Sequence, residues 1–453
     1  MNNQTFANLL KKYINDSKLS VSSLSRYSNI NRTLIQKYIS GAQLPSNYEI
    51  LEKILNILAL SPVQKEEIKK LYKIEKIGYE KYNQFNTLDQ LINEIAKANN
   101  HESLYQIQIN FQKQLNQATN REELKLVLYS LLNSTEDDSL DILFNVDEIL
   151  YPIILQHIKQ KKLNIRIILC LSYASTNYSY NLLQLKKLIS FLNLKEIDIH
   201  YIYLEHSINY SLYPFSINSK NQLLLINNSI SRGILLNNFD FQKEYDYKFL
   251  NTKKFINIFH DDISIVKNVL YFDETYQNIN YFCGNLFLLP YIEQSLLEKH
   301  YIGDAENKRK ILNYFIKFKN SFNDITTNKI HLYCQLPDVH DCSLPLGLPK
   351  SLFKPFEKKE LKSAYHNLLN DAKSDSKITF LAIKNNDFLS KDFFIQTNQN
   401  KTFVKNKIFA FNILESSINE NFKSLPFFLE KYKEITYTKE KSIQYLINYI
   451  DNL

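Results

Sequence analysis

Residues 31–40 combine a polar face and an apolar face at helical spacing. The polar face carries side chains that donate hydrogen bonds: Arg32, Thr33, Gln36 and Lys37. The apolar face carries residues suited to a protein core: Leu34, Ile35, Tyr38 and Ile39. Guanidinium, amide, hydroxyl and ammonium donors of this size fit the base edges and phosphates of duplex DNA. The pattern therefore predicts DNA recognition by a short exposed helix.

Further polar residues near this helix are candidates for contacts with the DNA backbone: Asn31, Ser22, Ser23 and Lys12. Much of the net charge of +8 lies here, because residues 1–45 hold six basic side chains and one acidic side chain. Attraction to phosphates requires such an excess, and the nearly balanced remainder gives no electrostatic case for a second nucleic-acid surface. With four cysteines and no apolar run of about 20 residues, a cytoplasmic location without disulfides or membrane spans is expected.

The segment that positions these side chains, residues 20–41, is expected to form two short helices joined by a tight turn. Ser20 is a suitable N-cap for the first helix. Asn29 tolerates the left-handed backbone that a sharp turn needs, and Asn31 can cap the second helix. Gly41 is placed to end that helix.

This segment resembles the helix-turn-helix of the Xre/Cro-cI family of regulators. The residues that carry the resemblance are Leu24, Ser25, Asn29, Ile30, Ile35 and Gly41. Ser25 stands where the family has alanine and Asn29 where it has glycine, and both changes are sterically mild. The resemblance covers about the first sixty residues. It implies a five-helix, lambda-repressor-like DNA-binding domain whose helix 31–40 enters the major groove.

Apolar periodicity predicts the other helices of this domain at 5–17, at 48–58 and from Ser61 to about residue 82. The pattern remains helical through residue 135. We expect four regions: a DNA-binding domain at 1–82, a helical connector at 83–135, an α/β domain at 136–285 and a second helical and α/β region at 286–453.

In residues 136–453, called the body below, apolar runs of strand length alternate with helical stretches. This alternation predicts an α/β fold with parallel strands. The first such runs are 140–144, 165–172 and 197–204. A hairpin at 222–236, a helix near 252–259 and a loop-rich segment at 329–354 are expected next. The tripeptide Glu-Leu-Lys at residues 123–125 recurs at 360–362, and similar residues follow both copies. Either the α/β unit is duplicated or a biased composition produced the similarity by chance.

No motif in the body forms a complete catalytic or metal site. Four residues of the types that bind zinc lie close together in the sequence: His331, Cys334, His340 and Cys342. Their spacing is unfamiliar for a zinc site, which favours a polar loop. The series His157, Lys159 and Asn164 is similar to the signature of phospholipase-D-like phosphodiesterases, with asparagine in place of the carboxylate. The body also looks faintly like the catalytically inactive phospholipase-D-like sensor domains of some bacterial and archaeal regulators.

These features together predict a bacterial DNA-binding transcriptional regulator that is not an enzyme and needs no metal or cofactor. A single DNA-binding domain (residues 1–82, called the head below) makes few contacts with DNA. A homodimer on a palindromic site is therefore expected. The body would hold the dimer together or bind a small-molecule or peptide effector. Two other hypotheses for the function stay open. The chain is either an enzyme or defence-type effector with a helix-turn-helix targeting head, or a protein-interaction module.

Overall fold

The computed structural model of the chain describes residues 4–98, 115–134, 139–143, 147, 150–161, 164–173, 178–194, 197–203, 213–219, 221–237, 252–271, 279–325, 330–336, 348–374, 377–384, 389–390, 392–398, 400–432 and 435–452. The chain divides into two compact units. Unit 1 comprises Met1–Thr87 with Phe427–Glu434, and unit 2 comprises Leu88–Pro426 with Ile435–Leu453. Unit 1 is helical and unit 2 contains two mixed sheets with helices, so the multidomain α and α/β fold is confirmed.

Unit 1 begins with five helices, in the order that the resemblance implied. They are α1 (Phe6–Asp16), α2 (Val21–Ser28), α3 (Arg32–Ile39), α4 (Tyr48–Ile57) and α5 (Pro62–Ile77). On α1 the apolar side chains recur every three or four residues, and all of them are buried: Phe6, Leu9, Leu10, Tyr13 and Ile14. They pack with buried side chains of the other four helices in one core. A capping box formed by Ser61 and Gln64 starts α5.

A sixth helix, α6 (Tyr79–Lys97), begins in unit 1 and ends in unit 2. The sequence predicted that the fifth helix continues to about residue 82, and this is wrong. Gly78 has a φ of +88°, outside the helical region, so α5 ends there and α6 starts at the next residue. Within unit 1, the buried ring of Phe85 packs against Phe427 and Phe428 of the unit's second segment.

The first sheet of unit 2, within the described residues, has eight strands. They are β1 (Gln117–Ala118), β2 (Ser139–Leu143), β3 (Asn164–Leu171), β4 (Ile197–Tyr203), β5 (Phe215–Asn218), β6 (Gln222–Ile226), β7 (Gly233–Asn237) and β8 (Lys253–Lys254). The spatial order is β1-β7-β6-β5-β2-β3-β4-β8, with β2, β3 and β4 parallel. Three helices join these strands: α7 (Arg121–Ser134), α8 (Leu150–Lys161) and α9 (Tyr178–Lys187). A Cβ on Gly233 would lie 2.7 Å from Leu124, because α7 approaches β7 closely.

The second sheet has seven strands in the described part of the chain. They are β9 (Ile256–Phe259), β10 (Ile279–Cys283), β11 (Ile330–Cys334), β12 (Ile378–Ala382), β13 (Phe394–Thr397), β14 (Thr402–Lys405) and β15 (Ala410–Ile413). The accompanying helices are α10 (Asp262–Val269), α11 (Gln294–His300), α12 (Ala305–Asn323), α13 (Lys358–Ser374), α14 (Ser416–Lys423) and α15 (Lys439–Asp451). One face of this sheet contributes to a large apolar core with most of these helices.

The two sheets have the same topology. From β1 to β4 the first sheet runs β1-β7-β6-β5-β2-β3-β4, and the second runs β9-β15-β14-β13-β10-β11-β12. Neighbouring pairs match in direction, since β2-β3-β4 and β10-β11-β12 are parallel and the other pairs are antiparallel. A duplicated α/β unit therefore forms the body. The correspondence drawn between residues 123–125 and 360–362 is wrong, because α7 precedes β2 whereas α13 precedes β12, the counterpart of β4.

Two local predictions in the body are also wrong. The expected helix at 252–259 is β8 and β9, and β9 pairs antiparallel with β15 along the edge of the second sheet. The expected loop-rich segment at 329–354 is wrong at residues 330–334, which form β11 between β10 and β12, while residues 337–347 lie outside the described residues. The sheets divide at Phe255, so β9 and β10 belong to the second sheet although they precede residue 285. The division of the chain into the four regions 1–82, 83–135, 136–285 and 286–453 stays a prediction.

Candidate nucleic-acid interface

The helix predicted to read DNA has one buried and one exposed face. Ile35 is 0% exposed and Tyr38 is 1% exposed, and both pack in the core of unit 1. The opposite face carries exposed side chains, as the sequence predicted: Arg32, Thr33, Gln36 and Lys37. Two turns of helix anchored in a core hold these four donors at defined spacing, which is a geometry that suits a DNA groove.

The turn between α2 and α3 is built from local hydrogen bonds. Asn29 adopts φ 54° and ψ 36°, the left-handed conformation expected of it. Ser25 on α2 then donates its hydroxyl to the carbonyl oxygen of Ile30 at 2.6 Å. This bond crosses the turn and ties α2 to the residues that precede α3. Alanine at position 25, the residue of the family, cannot make it.

Side-chain caps fix the starts of both helices. Ser20 accepts from the backbone N–H of Ser23 at 3.1 Å, and the Oδ1 of Asn31 accepts from the N–H of Thr33 at 2.8 Å. The cap uses only the oxygen of Asn31, so its amide nitrogen keeps its donor capacity. At the other end of α3, Gly41 has a φ of +76°, a conformation that favours glycine.

The other residues predicted to contact the DNA backbone differ in their exposure. Ser22 is exposed at the start of α2, whereas Ser23 is half-buried and its Oγ lies 2.9 Å from the Oγ of Ser20. Lys12 is exposed on α1. Seven of the eight predicted residues thus lie on the α2 and α3 segment, and Lys12 lies on the helix that packs against it.

Arg26 and Tyr27 were missed as candidate contacts. Arg26 is exposed and lies four residues after Ser22, so the two share one face of α2. Tyr27 is 65% exposed, which is unusual for a large aromatic side chain. The i, i+4 spacing from Ser22 to Arg26 was the signal in the sequence that would have identified the arginine.

Long-range bonds join α1, on which α3 packs, to α5, and join α5 to α4. Tyr13 on α1 donates to Glu67 on α5 at 2.8 Å. Burial, together with this bond and the carboxylate charge, raises the pKa of Tyr13 to about 12. Lys69 on α5 forms an ion pair with Glu52 on α4 at 2.7 Å. These contacts make the head a preorganised support for the exposed face of α3.

Two of the four metal-ligand types singled out in the sequence, His331 and Cys334, lie in the described part of the chain and do not face one point. His331 and Cys334 lie on β11, three residues apart, and such residues point to opposite faces of a strand. The interpretation of a polar loop is wrong for both, and His340 and Cys342 lie outside the described residues. Within the described ranges, no group of three His, Cys, Asp or Glu side chains is arranged to hold a metal ion.

His157 lies on α8, while Asn164 begins β3. The imidazole is 4% exposed, and its Nε2 lies 2.8 Å from the carbonyl oxygen of Leu132. Burial and the nearby Lys161 lower its pKa.

Among the described residues, no helix has the length and apolar character needed to cross a bilayer.

No protein-family model matches this chain, the Xre/Cro-cI family included, and no curated protein sequence matches it. Among solved structures, the chain is similar to TrmBL2, an archaeal chromatin protein with a novel mode of DNA binding. That match has 10% identity and a TM-score of 0.22, and it covers 51% of this chain and 85% of TrmBL2.

Two enzyme structures are similar at the same level. Polyphosphate kinase from Porphyromonas gingivalis has 8% identity, a TM-score of 0.21 and coverage of 68% of this chain and 48% of the kinase. Phosphatidylserine synthase from Haemophilus influenzae has 8% identity, a TM-score of 0.21 and coverage of 74% of this chain and 91% of the synthase. TM-scores of this size establish neither a shared fold nor a shared function.

Proposed function

We propose that this chain is a DNA-binding transcriptional regulator whose α3 enters the major groove of duplex DNA. The observation that carries the proposal is the division of α3 into a buried face and an exposed face. Ile35 and Tyr38 anchor the helix, and four donor side chains remain exposed at its outer surface. The basic excess of residues 1–45 supplies the attraction to phosphates that such binding needs.

Arg32 and Gln36 lie one helical turn apart and are assigned to base edges, since both side chains can form two hydrogen bonds to one base. Thr33 and Lys37 lie beside them and contact bases or nearby phosphates. Asn31, Ser22, Ser23 and Lys12 are assigned to the DNA backbone, where contacts position the protein without reading sequence. Arg26, on the same face of α2 as Ser22, joins this second group.

The body acts by assembly and regulation in this proposal and not by catalysis. A two-fold homodimer would place two heads on a palindromic site and double the number of base contacts. The duplicated α/β unit is large enough to hold the dimer contacts and an effector site.

The experiment is selection of duplexes from a random library with the full-length protein, followed by fluorescence anisotropy at several salt concentrations. Arg32→Ala is expected to weaken binding to the selected site by about 1–3 kcal/mol and binding to random DNA much less. Lys12→Ala should weaken binding to both DNAs alike and reduce the salt slope by about one.

Lys317→Ala on α12 is the matched control, because it removes an exposed positive charge from unit 2. Failure to enrich any duplex would refute the proposal. An Arg32→Ala variant that behaves like Lys317→Ala would refute the assignment of α3 to the groove.

A further inference from the structure

Lys401 lies in unit 2, at the end of the turn between β13 and β14. Two hydrogen bonds fix its backbone to Asn398. The Oδ1 of Asn398 accepts from the N–H of Lys401 at 2.8 Å, and the N–H of Asn398 donates to the carbonyl oxygen of Lys401 at 3.0 Å. The half-buried side chain of Lys401 reaches α10. Its amine is therefore held at one defined position.

The partners of the Lys401 amine are uncharged. Its Nζ donates to the Oδ1 of Asn268 at 2.9 Å and lies 4.6 Å from the centre of the Tyr271 ring. Asn268 presents its oxygen to the amine because its own amide nitrogen donates to the carbonyl oxygen of Ser264 at 2.8 Å. In the described part of the chain, no carboxylate forms an ion pair with Lys401. An amide oxygen and a ring face stabilise a positive charge less than a carboxylate does.

A second cation opposes the positive charge of Lys401. Lys267, which is exposed on α10, directly precedes the asparagine that Lys401 contacts. Burial, together with the positive charge of Lys267, lowers the pKa of Lys401 to about 8. The titratable groups around the amine are thus Lys267 and Tyr271 from α10 and the residues after it, and Lys405 on the same face of β14. None of these groups supplies a carboxylate.

The lowered pKa changes the chemistry of the amine. At pH 8 about half of the Lys401 side chains are neutral, whereas an ordinary lysine with a pKa of about 10.4 is neutral in about 0.4% of molecules. A neutral amine has a lone pair that attacks carbon, and it keeps N–H groups that can still donate to Asn268. Desolvation and an adjacent cation are two means by which enzymes activate a lysine nucleophile. The ring of Tyr271, which lies beside the amine, is 41% exposed, so a small reagent can approach from that side.

We propose that Lys401 is a modification site that accepts acyl groups from small acyl phosphates. Its Nζ lone pair attacks the acyl carbon and forms a C–N bond. The C–O bond to the phosphate breaks, the phosphate leaves with the electron pair, and the proton on the nitrogen passes to water. Lys267 attracts the phosphate group during this step. The product is a neutral amide whose N–H can donate to Asn268, so acylation removes a poorly compensated charge and keeps the hydrogen bond. The site does not depend on the proposed DNA binding.

The first test treats the wild-type, full-length protein with acetyl phosphate at several pH values and measures the acetylation rate of each lysine by mass spectrometry. Lys310 on α12 is the internal control. It is exposed, but it pairs with Glu306 at 2.6 Å, and this pair raises its pKa. Access alone would make Lys310 the faster site, whereas nucleophilicity makes Lys401 faster at pH 8 by about tenfold or more. The rate at Lys401 should level off above about pH 8, while the rate at Lys310 continues to rise.

The second test places a carboxylate beside the amine. Asn268→Asp keeps the shape of the side chain, raises the pKa of Lys401 and should slow its acetylation at pH 8 about tenfold. Asn313→Asp on α12 is the matched control, because it makes the same charge change at an exposed position and should leave the rate at Lys401 unchanged. A wild-type protein in which Lys310 reacts as fast as Lys401 would overturn the site. The same conclusion follows if Asn268→Asp reacts at the wild-type rate.

The class of acyl donor is tested with a reagent that lacks a phosphate, acetic anhydride. Lys267→Gln should slow labelling of Lys401 by acetyl phosphate more than labelling by acetic anhydride, because only acetyl phosphate loses an attraction to its leaving group. Equal slowing with both reagents would overturn the assignment to acyl phosphates.

Discussion

Replacement of Ser25 by alanine tests whether this chain depends on the bond across its helix-turn-helix. The family to which the segment is similar has alanine at this position, so a comparison by residue type predicts a neutral or stabilising change. The structure predicts the opposite. The Ser25 hydroxyl donates to the carbonyl oxygen of Ile30 at 2.6 Å, and Ile30 is 8% exposed.

The magnitude follows from the loss of one donor in a part-buried setting. Removing the hydroxyl leaves the Ile30 carbonyl oxygen without this bond, which costs about 1–2 kcal/mol. The methyl group that remains fills nearly the same space, so a cavity contributes little. A loss of 1–2 kcal/mol raises the population of the locally opened turn about 5- to 30-fold.

Hydrogen exchange of the full-length protein, read by mass spectrometry on peptides from residues 20–41, measures this population. The Ser25→Ala protein should exchange about 5- to 30-fold faster in these peptides and unchanged in peptides from unit 2. Ser22→Ala is the matched control, since it removes an exposed hydroxyl from the same helix and should leave exchange unchanged. Equal exchange in the Ser25→Ala and wild-type proteins would refute the reasoning.

Three further outcomes are expected. Ile35→Ala should reduce the free energy of unfolding of unit 1 by about 2–5 kcal/mol, seen as a lower urea midpoint, because the side chain is fully buried. Asn29→Ala should cost about 1–2 kcal/mol while Asn29→Gly costs nothing measurable in the same titration, since only the alanine is strained at a φ of 54°. The ion pair with Lys299 at 2.5 Å lowers the pKa of Glu360 from 4.5 to about 2. A lowered folded-state pKa stabilises the folded protein above pH 4.5, and this stabilisation is lost as the pH falls from 4.5 toward 2, so Glu360→Gln should flatten the pH dependence of urea unfolding in that window.

The head was predictable because its signals are local. Ser20, Asn31 and Ser61 cap helices as their types indicate, and Asn29 takes the left-handed turn. A helix in this part of the chain needs only side chains within one or two turns to specify its start, its buried face and its end. The role of Ser25 was missed, since its acceptor is a backbone atom that comes within reach only when the turn is closed.

The body was predictable only in outline. Residues 256–259 alternate like a strand but are too few to identify β9 by themselves, and β9 is stabilised by pairing with β15 more than 150 residues later. The prolines that follow residue 336 made 329–354 look loop-rich, although β11, which precedes them, lies between two parallel neighbours. Strand pairing outweighs local propensity in such places because the partner strand supplies the hydrogen bonds.

Residue types and spacing alone determined that a small cationic helical head with an exposed donor face precedes an α/β body. Cap chemistry and helical periodicity act over a few residues, so the linear chain contains that information. Tertiary structure alone decided that the body is one unit used twice, which strands of the two copies correspond, and that Lys401 meets Asn268 and Lys267 of a distant helix. These features depend on contacts between residues far apart in the chain, which no local pattern specifies.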